Sequence, residues 1–278
     1  MKNSKTFFIT GVSSGFGRAI ANAALRAGHR VVGTVRTEQA ATEFKGQFHA
    51  EAHVRLLDVT QFDAVAPLAA AVEAEIGPVD VVINNAGYGH EGILEESSLD
   101  DMRRQFDVNV FGAVAVIKAF LPFMRQRRRG HIVNITSMGG YITMPGISYY
   151  CGSKFALEGI SETLAKEVKG LGIAVTAVAP GSFRTDWAGR SMVRSARSIS
   201  DYDSLFDPVR QSRVDKSGKQ PGDPDKAAAA ILTLVDMPEP PEHLLIGSDA
   251  LGVVRAKLDA MQASLTRHEG LTRSTDIS

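Results

Sequence analysis

Short aliphatic runs alternate with longer amphipathic stretches along most of this chain, and few folds accommodate that alternation. Thr6 to Thr10 reads as a strand, the glycines from Gly11 as a turn, and Phe16 to Ala27 as a helix. The unit repeats: Arg30 to Val35 is a strand, Glu38 to Phe48 a helix, His53 to Leu57 a strand, Asp63 to Ile76 a helix closed by Gly77-Pro78, and Val79 to Asn84 a fourth strand. A helix from about Leu99 to Arg127 precedes a strand over His131 to Thr136, and another from about Tyr149 to Gly170 precedes a strand over Ile173 to Ala179. Runs such as Val79-Asp80-Val81-Val82-Ile83 suit strands buried on both faces, which is the condition of a parallel sheet. Right-handed crossovers then give an α/β fold with a doubly wound parallel sheet in three layers.

After Pro180-Gly181 the pattern lapses from Ser182 to Pro224, a stretch rich in Arg, Ser and Asp with scattered Trp187, Met192, Leu205 and Phe206. It reads as a mobile substrate lid, with a passive surface loop as the alternative. Asp225 to Val235 reads as a helix, Leu244 to Ile246 as a last strand ending at Gly247, Leu251 to Leu265 as a closing helix, and the tail from about residue 267 as frayed. With 278 residues and 44% hydrophobic content, residues 1–278 suit a single domain with a full core. Lysine plus arginine balance aspartate plus glutamate at 31 each, so no global field favours nucleic acid or anionic lipid, and neither partner is expected. Arg127-Arg128-Arg129 is too short a run to change that; cations at a helix end suit the dipole. The single cysteine, Cys151, excludes an intramolecular disulfide and fits a reducing, cytoplasmic setting. Met1 to Lys5 leave no room for a signal sequence, and no apolar run approaches the roughly 20 residues of a membrane helix. The seven histidines lack metal-ligand spacing, so no metal is expected.

Two local patterns carry chemistry. Thr10-Gly11-Val12-Ser13-Ser14-Gly15-Phe16-Gly17 lies between the first strand and first helix, where an open parallel sheet presents its carboxyl ends to ligands. Gly11 suits a tight turn, Gly15 a backbone approach to pyrophosphate at the helix start, and Gly17 close helix packing; a plain glycine-rich turn is the alternative. Tyr150 and Lys154 stand four residues apart, which on a helix puts an ammonium beside a phenol. A nearby positive charge lowers a phenol's pKa from about 10 and equips it for acid-base work. An ordinary helix surface is the alternative reading. Tyr149 competes, and only the spacing to Lys154 selects Tyr150. Cys151 points elsewhere on the helix, has no paired histidine, and reads as structural.

These motifs, with Asn84-Asn85-Ala86-Gly87, Asn109, Ser137 and Pro180-Gly181-Ser182-Phe183-Arg184-Thr185 in that order, resemble the short-chain dehydrogenase/reductase family in its single-domain, Rossmann-type form. The resemblance implies that Tyr150 protonates a carbonyl oxygen, that Ser137 holds that oxygen, that Lys154 tunes Tyr150 and grips ribose, and that Asn109 anchors a water leading to Lys154. Asn109 reads alternatively as a cap or kink within its helix. The resemblance further implies a nicotinamide dinucleotide held by Gly11, Ser13, Ser14, Gly15, Phe16, Gly17, Asp58, Val59, Asn85, Ala86, Gly87, Tyr150, Lys154, Pro180, Gly181 and Thr185. Asp58 reads alternatively as a turn aspartate and Thr185 as a helix N-cap. Val35 stands where an NAD-selecting carboxylate would end the second strand, and Arg36 follows with a guanidinium suited to a 2′-phosphate. NADP(H) is therefore favoured over NAD, although Ser13 and Ser14 stand where some NADP-dependent relatives carry a basic residue, Glu38 is placed to curl back toward the ribose, and a solvated loop arginine is the alternative for Arg36.

Met138, Tyr141, Ile142, Met144, Ile147, Trp187, Met192 and Phe206 are expected to face a small-molecule carbonyl or alcohol substrate of apolar character, with ordinary packing as the alternative. Arg184, Arg190 and Arg194 leave a substrate carboxylate open. A non-catalytic regulator sensing NADP(H) is the reading from another class, and a sugar-nucleotide epimerase is disfavoured because the chain has little room for a second domain. The long helices Leu99 to Arg127 and Tyr149 to Gly170 suit an isologous homo-oligomer interface.

Overall fold

The computed structural model describes residues 4–47 and 51–277. Its sheet strands are β1 (Thr6–Ile9), β2 (Arg30–Val35), β3 (Ala52–Leu56), β4 (Val81–Asn84), β6 (Gly130–Ile135), β7 (Ile173–Pro180) and β9 (His243–Ile246). They lie in the order β3-β2-β1-β4-β6-β7-β9, and every neighbouring pair is parallel. The order reverses between β1 and β4, so the chain departs to opposite sides there and opens a crevice above the carboxyl ends of the strands. Side chains alternate through the sheet. Phe7 and Ile9 of β1, with Val81 and Ile83 of β4, enter a core with α1 (Gly15–Arg26), α2 (Glu38–Gln47) and α8 (Pro224–Val235). Phe8 and Val82 enter the opposite core with α3 (Phe62–Glu75), α5 (Ala113–Arg127) and α6 (Ser148–Val168). Burial on both faces is why these strands read as continuous aliphatic runs.

The helix expected to reach Phe48 is seen to Gln47; Phe48, Met1 to Asn3 and Ser278 lie outside the described residues. The segment Leu99–Arg127 is continuous but not uniform: α4 (Leu99–Phe106) passes through a π-helical stretch, Asp107–Gly112, into α5. Its most apolar window has a mean hydropathy of 1.6, enough by length and composition for a bilayer crossing, against the expectation that no run approaches that. Val116, Ile117, Phe120 and Met124 are nevertheless buried in the second core, as in a core helix.

The stretch 182–224 is built rather than patternless. Strand β8 (Met192–Arg194) pairs in parallel with β5 (Gly89–Glu91), and α7 (Asp203–Asp215) follows. A three-residue strand leaves no alternation to read, and α7 buries only Phe206, so its apolar periodicity is nearly absent. The closing helix α9 (Ser248–Arg273) extends well past Leu265 and through the region expected to fray.

Candidate active site

The turn between β1 and α1 is shaped for close approach. Gly11 and Gly15 have φ of 74° and 56°, a region that penalises a Cβ. A Cβ on Gly17 would stand 2.2 Å from the Gly11 carbonyl oxygen and 2.4 Å from Asn85 Nδ2. Ser14, extended at the start of α1, makes no capping bond with its side chain, so its hydroxyl leaves the first amides of α1 uncapped. This cradle fits a pyrophosphate: small, bounded by backbone, and facing a helix start that favours anions.

Asn85 and Ala86 form the adjoining wall and are stitched to the turn. Both backbone N–H groups donate to Thr10 Oγ1, at 3.0 and 2.9 Å, while Asn85 Nδ2 donates to the carbonyls of Thr10 and Gly11. Thr10 thus organises the site, although nothing in its residue type singled it out. Gly87 adjoins Asn109, whose Oδ1 would be 3.1 Å from a Cβ there. Thr185 faces Gly15, its Cβ 3.7 Å from a Cβ built on that glycine, and its hydroxyl also accepts from Trp187 N as an N-cap. Gly181 N donates to the Ile246 carbonyl, and Asp249 accepts from Ser182 N at 2.7 Å, fixing the turn after Pro180. Asp58 accepts from Thr60 N and Oγ1, which is the turn-aspartate arrangement, and Val59 packs on Gly112. Arg36 is exposed just beyond β2, Ser13 is exposed, and the Phe16 ring meets Phe183 edge-on at 5.1 Å.

Tyr150 and Lys154 both lie buried on α6. The competing phenol is spoken for: Tyr149 donates to the Ser97 carbonyl at 2.9 Å and stacks on His90. Ser137 follows β6, accepts from Gly139 N at 3.0 Å, and hydrogen-bonds the Tyr150 phenol. Lys154 Nζ lies 5.8 Å from the Tyr150 ring centroid and donates to the Ile135 carbonyl at 2.8 Å. Burial pulls Lys154 down to about 8, opposed by the Glu158 carboxylate one turn along. Burial also drives the Tyr150 phenol well above its usual value, with the Ser137 hydrogen bond as the restraint. The expected lowering of Tyr150 by Lys154 is therefore not met here: desolvation disfavours a phenolate more than this distant ammonium favours it.

Asn109 sits in the π-helical stretch with both side-chain N–H groups in use, donating to the Tyr88 carbonyl and Ser153 Oγ, while Oδ1 accepts from Tyr88 N. Ser153 in turn donates to the Tyr150 carbonyl. The side chain thus ties three segments together.

Trp187, Met144, Ile147 and Cys151 pack around Tyr150, with the Trp187 and Tyr150 ring centroids 5.0 Å apart. Burial pushes the Cys151 thiol up, which suits a packing role. Tyr141 departs from the expected apolar wall: its hydroxyl donates to Glu158 Oε2, beside His243. The arginines considered for a substrate carboxylate are engaged elsewhere, Arg184 with the Gln220 carbonyl, Arg190 with Asp186 and Arg194 with Glu91. Glu91, 1% exposed, also pairs with Arg210 and Arg213 of α7. Glu96 accepts from the backbone of Ser198 and Ile199 and pairs with Arg197. These two carboxylates fasten the wall of the cleft, and the sequence carried no sign of it because charges in an irregular stretch look solvated.

A buried, protonated phenol with a hydroxyl beside it, close to an anion cradle, can deliver a proton to an oxygen brought between them.

Comparison with known proteins identifies the family and the fold. The family model described as short chain dehydrogenase matches residues 5–194. The Botryotinia fuckeliana protein "Oxidoreductase BOA17" is 38% identical over 262 residues, 94% of this chain and 95% of that one. A 3-ketodihydrosphingosine reductase from Bacteroides thetaiotaomicron is 38% identical over 86% of both chains. The crystal structure of a short-chain dehydrogenase from Streptomyces avermitilis superposes with a TM-score of 0.92 at 41% identity, covering 99% of this chain and 100% of that one. More distant solved neighbours carry either cofactor: a Burkholderia phymatum protein in complex with NAD (26% identity, TM-score 0.81, 94% of this chain and 95% of that one) and a serine dehydrogenase with NADP+ (25%, 0.75, 87% and 94%).

Proposed function

The chain belongs to the short-chain dehydrogenase family of oxidoreductases, and from that premise we propose that it moves a hydride between NADP(H) and an apolar ketone, aldehyde or secondary alcohol. The observation that carries this reading is the convergence of Ser137, Tyr150 and Lys154, with Tyr149 tied off elsewhere.

When bound, the reduced nicotinamide supplies two electrons and hydrogen to the carbonyl carbon. The chain's own residues handle the oxygen. Ser137 donates a hydrogen bond to it, and Tyr150 transfers its phenolic proton as negative charge develops there. Because burial holds that proton firmly, the free protein is prepared for carbonyl reduction. Oxidation of an alcohol would need the phenolate, and Lys154, 5.8 Å from the Tyr150 ring centroid, is the cation placed to favour it. Lys154 would also grip ribose hydroxyls, and Asn109 would anchor a water through which protons return. Gly11, Ser13, Ser14, Gly15, Phe16 and Gly17 would hold the pyrophosphate, Asn85, Ala86, Gly87, Asp58 and Val59 the adenosine half, and Pro180, Gly181 and Thr185 the nicotinamide.

Arg36 is the basis for favouring NADP(H): it is exposed just beyond β2, and Val35 rather than a carboxylate ends that strand. Met144, Ile147 and Trp187 around Tyr150 support an apolar substrate, as does the keto-lipid reductase relative. Leu99, Met102, Phe111 and Phe155 remain exposed along α4, the π-turn and α6, a face suited to an isologous homo-oligomer. The unbridged, buried Cys151 fits a reducing cytoplasm.

Purified protein mixed with NADPH or NADH and a panel of aliphatic and aromatic carbonyl compounds should consume NADPH, read by loss of its near-ultraviolet absorbance. Tight NADPH binding with no turnover on any compound would instead favour the cofactor-sensing regulator.

A further inference from the structure

Helix α9 leaves the domain and stays uncovered. Ala250 and Val254 anchor its first turns, yet every residue from Arg255 to Arg273 is exposed, roughly 28 Å of helix with water on all sides. Isolated helices of that length are marginal in water, and this one includes Gly270 and the β-branched Thr266 and Thr272. Its apolar side chains are not scattered. Leu251, Val254, Leu258, Met261 and Leu265 recur at alternating spacings of three and four, a coiled-coil pattern; Val254 is used up by the domain, while Leu258, Met261 and Leu265 are 54%, 50% and 64% exposed and form an open seam.

We propose that α9 is a pairing arm that docks antiparallel against α9 of a second copy of this chain. The flanking positions select this occupant and direction. Arg255, Gln262 and Glu269 border one side of the seam, and Lys257, Ser264 and Leu271 the other. Antiparallel pairing centred near Gln262 puts Arg255 of each copy opposite Glu269 of the other, twice by symmetry, with no like charges facing. Parallel pairing sets Lys257 against Gln262 and Ser264 against Glu269, which makes no ion pair. It also crowds two domains at one end, since each arm leaves its body at the N-terminal end; the antiparallel arrangement holds them apart. Glu269 is bonded within its own helix to Arg273, but that pair is 55% and 73% exposed and costs little to exchange. The pairing stands apart from the redox reading above and is tested without turnover.

Gln262 lies on the symmetry axis of the proposed pair, and Ala263 on its outer face. The only native cysteine, Cys151, is buried, so a short bismaleimide will report on an introduced thiol. Gln262→Cys should give a covalent dimer on a denaturing gel, and Ala263→Cys should give several-fold less. In the Gln262→Cys background, Arg255→Glu or Glu269→Arg alone should lower the dimer several-fold, the two together should restore it, and Leu265→Asp should abolish it. Equal cross-linking at both positions, no dimer at any soluble concentration, or a double exchange that stays as low as the singles would overturn the proposal.

Discussion

A phenol that is dehydrated and a lysine that is dehydrated beside it do not simply trade protons; each is pushed toward its neutral form. Tyr150 keeps its proton until an oxygen of greater basicity arrives, so Tyr150→Phe should bind NADPH normally and lose about 10²-fold or more of carbonyl reduction, measured by fluorescence titration and steady-state turnover. Lys154 is charged below about 8 and neutral above it, so reduction should fall as pH rises through that value. Glu158 is the group that sustains the charge, and Glu158→Gln should therefore move this falling limb to lower pH, read from a kcat/KM profile. Arg36→Asp places a carboxylate where a 2′-phosphate would sit, and the ratio of kcat/KM for NADPH over NADH should fall by about 10-fold or more, as expected when one charge-assisted contact is lost and a repulsion added. Unchanged selectivity would remove Arg36 from the cofactor site.

Among the elements, the parts that shape the cleft are fastened by buried charge as well as by apolar packing. Glu91 on β5 meets three guanidiniums, two of them from α7, while Arg190 and Asp186 form a pair out in solvent. Removing this buried carboxylate takes away the acceptor shared by three partly buried guanidiniums, so Glu91→Ala should cost about 3 kcal/mol. The segment 192–215 should also become more sensitive to protease. Arg190→Ala should change stability by less than about 1 kcal/mol, because solvent already screens that pair. Thermal unfolding of the two variants side by side checks the contrast. The same elements mark the limits of pattern reading. Strands β1, β2, β4, β6 and β7 were legible because burial on both faces leaves continuous aliphatic runs. Strand β5 and helix α7 were not, since β5 is Gly89-His90-Glu91 and α7 has one buried side chain.

For the molecule as a whole, acid stability should be set in good part by His131. It lies in β6 beneath the sheet surface, 7% exposed, with Nε2 3.0 Å from Thr176 Oγ1, which itself donates to the Pro241 carbonyl. Burial lowers its pKa to about 4 from the usual 6.5 of a solvated imidazole. Between those values the unfolded chain binds a proton that the folded chain refuses, so stability rises with pH across that window and is lost as pH falls through it. The full swing is roughly 3 kcal/mol. Chemical denaturation at a series of pH values should show it, and His131→Gln should flatten it; an unchanged slope would place the acid sensitivity elsewhere.

The order of elements, the glycine turn and the i, i+4 placement of Tyr150 and Lys154 were available from the chain alone, because periodicity and local spacing are properties of neighbouring residues. Which phenol faces Ser137, where Asn109 spends its hydrogen bonds, how Thr10 and Asp249 hold the turns, and what Glu91 neutralises all depend on residues far apart in sequence. The sign of the Tyr150 shift belongs with these, since desolvation exists only once the surrounding atoms have closed over the hydroxyl.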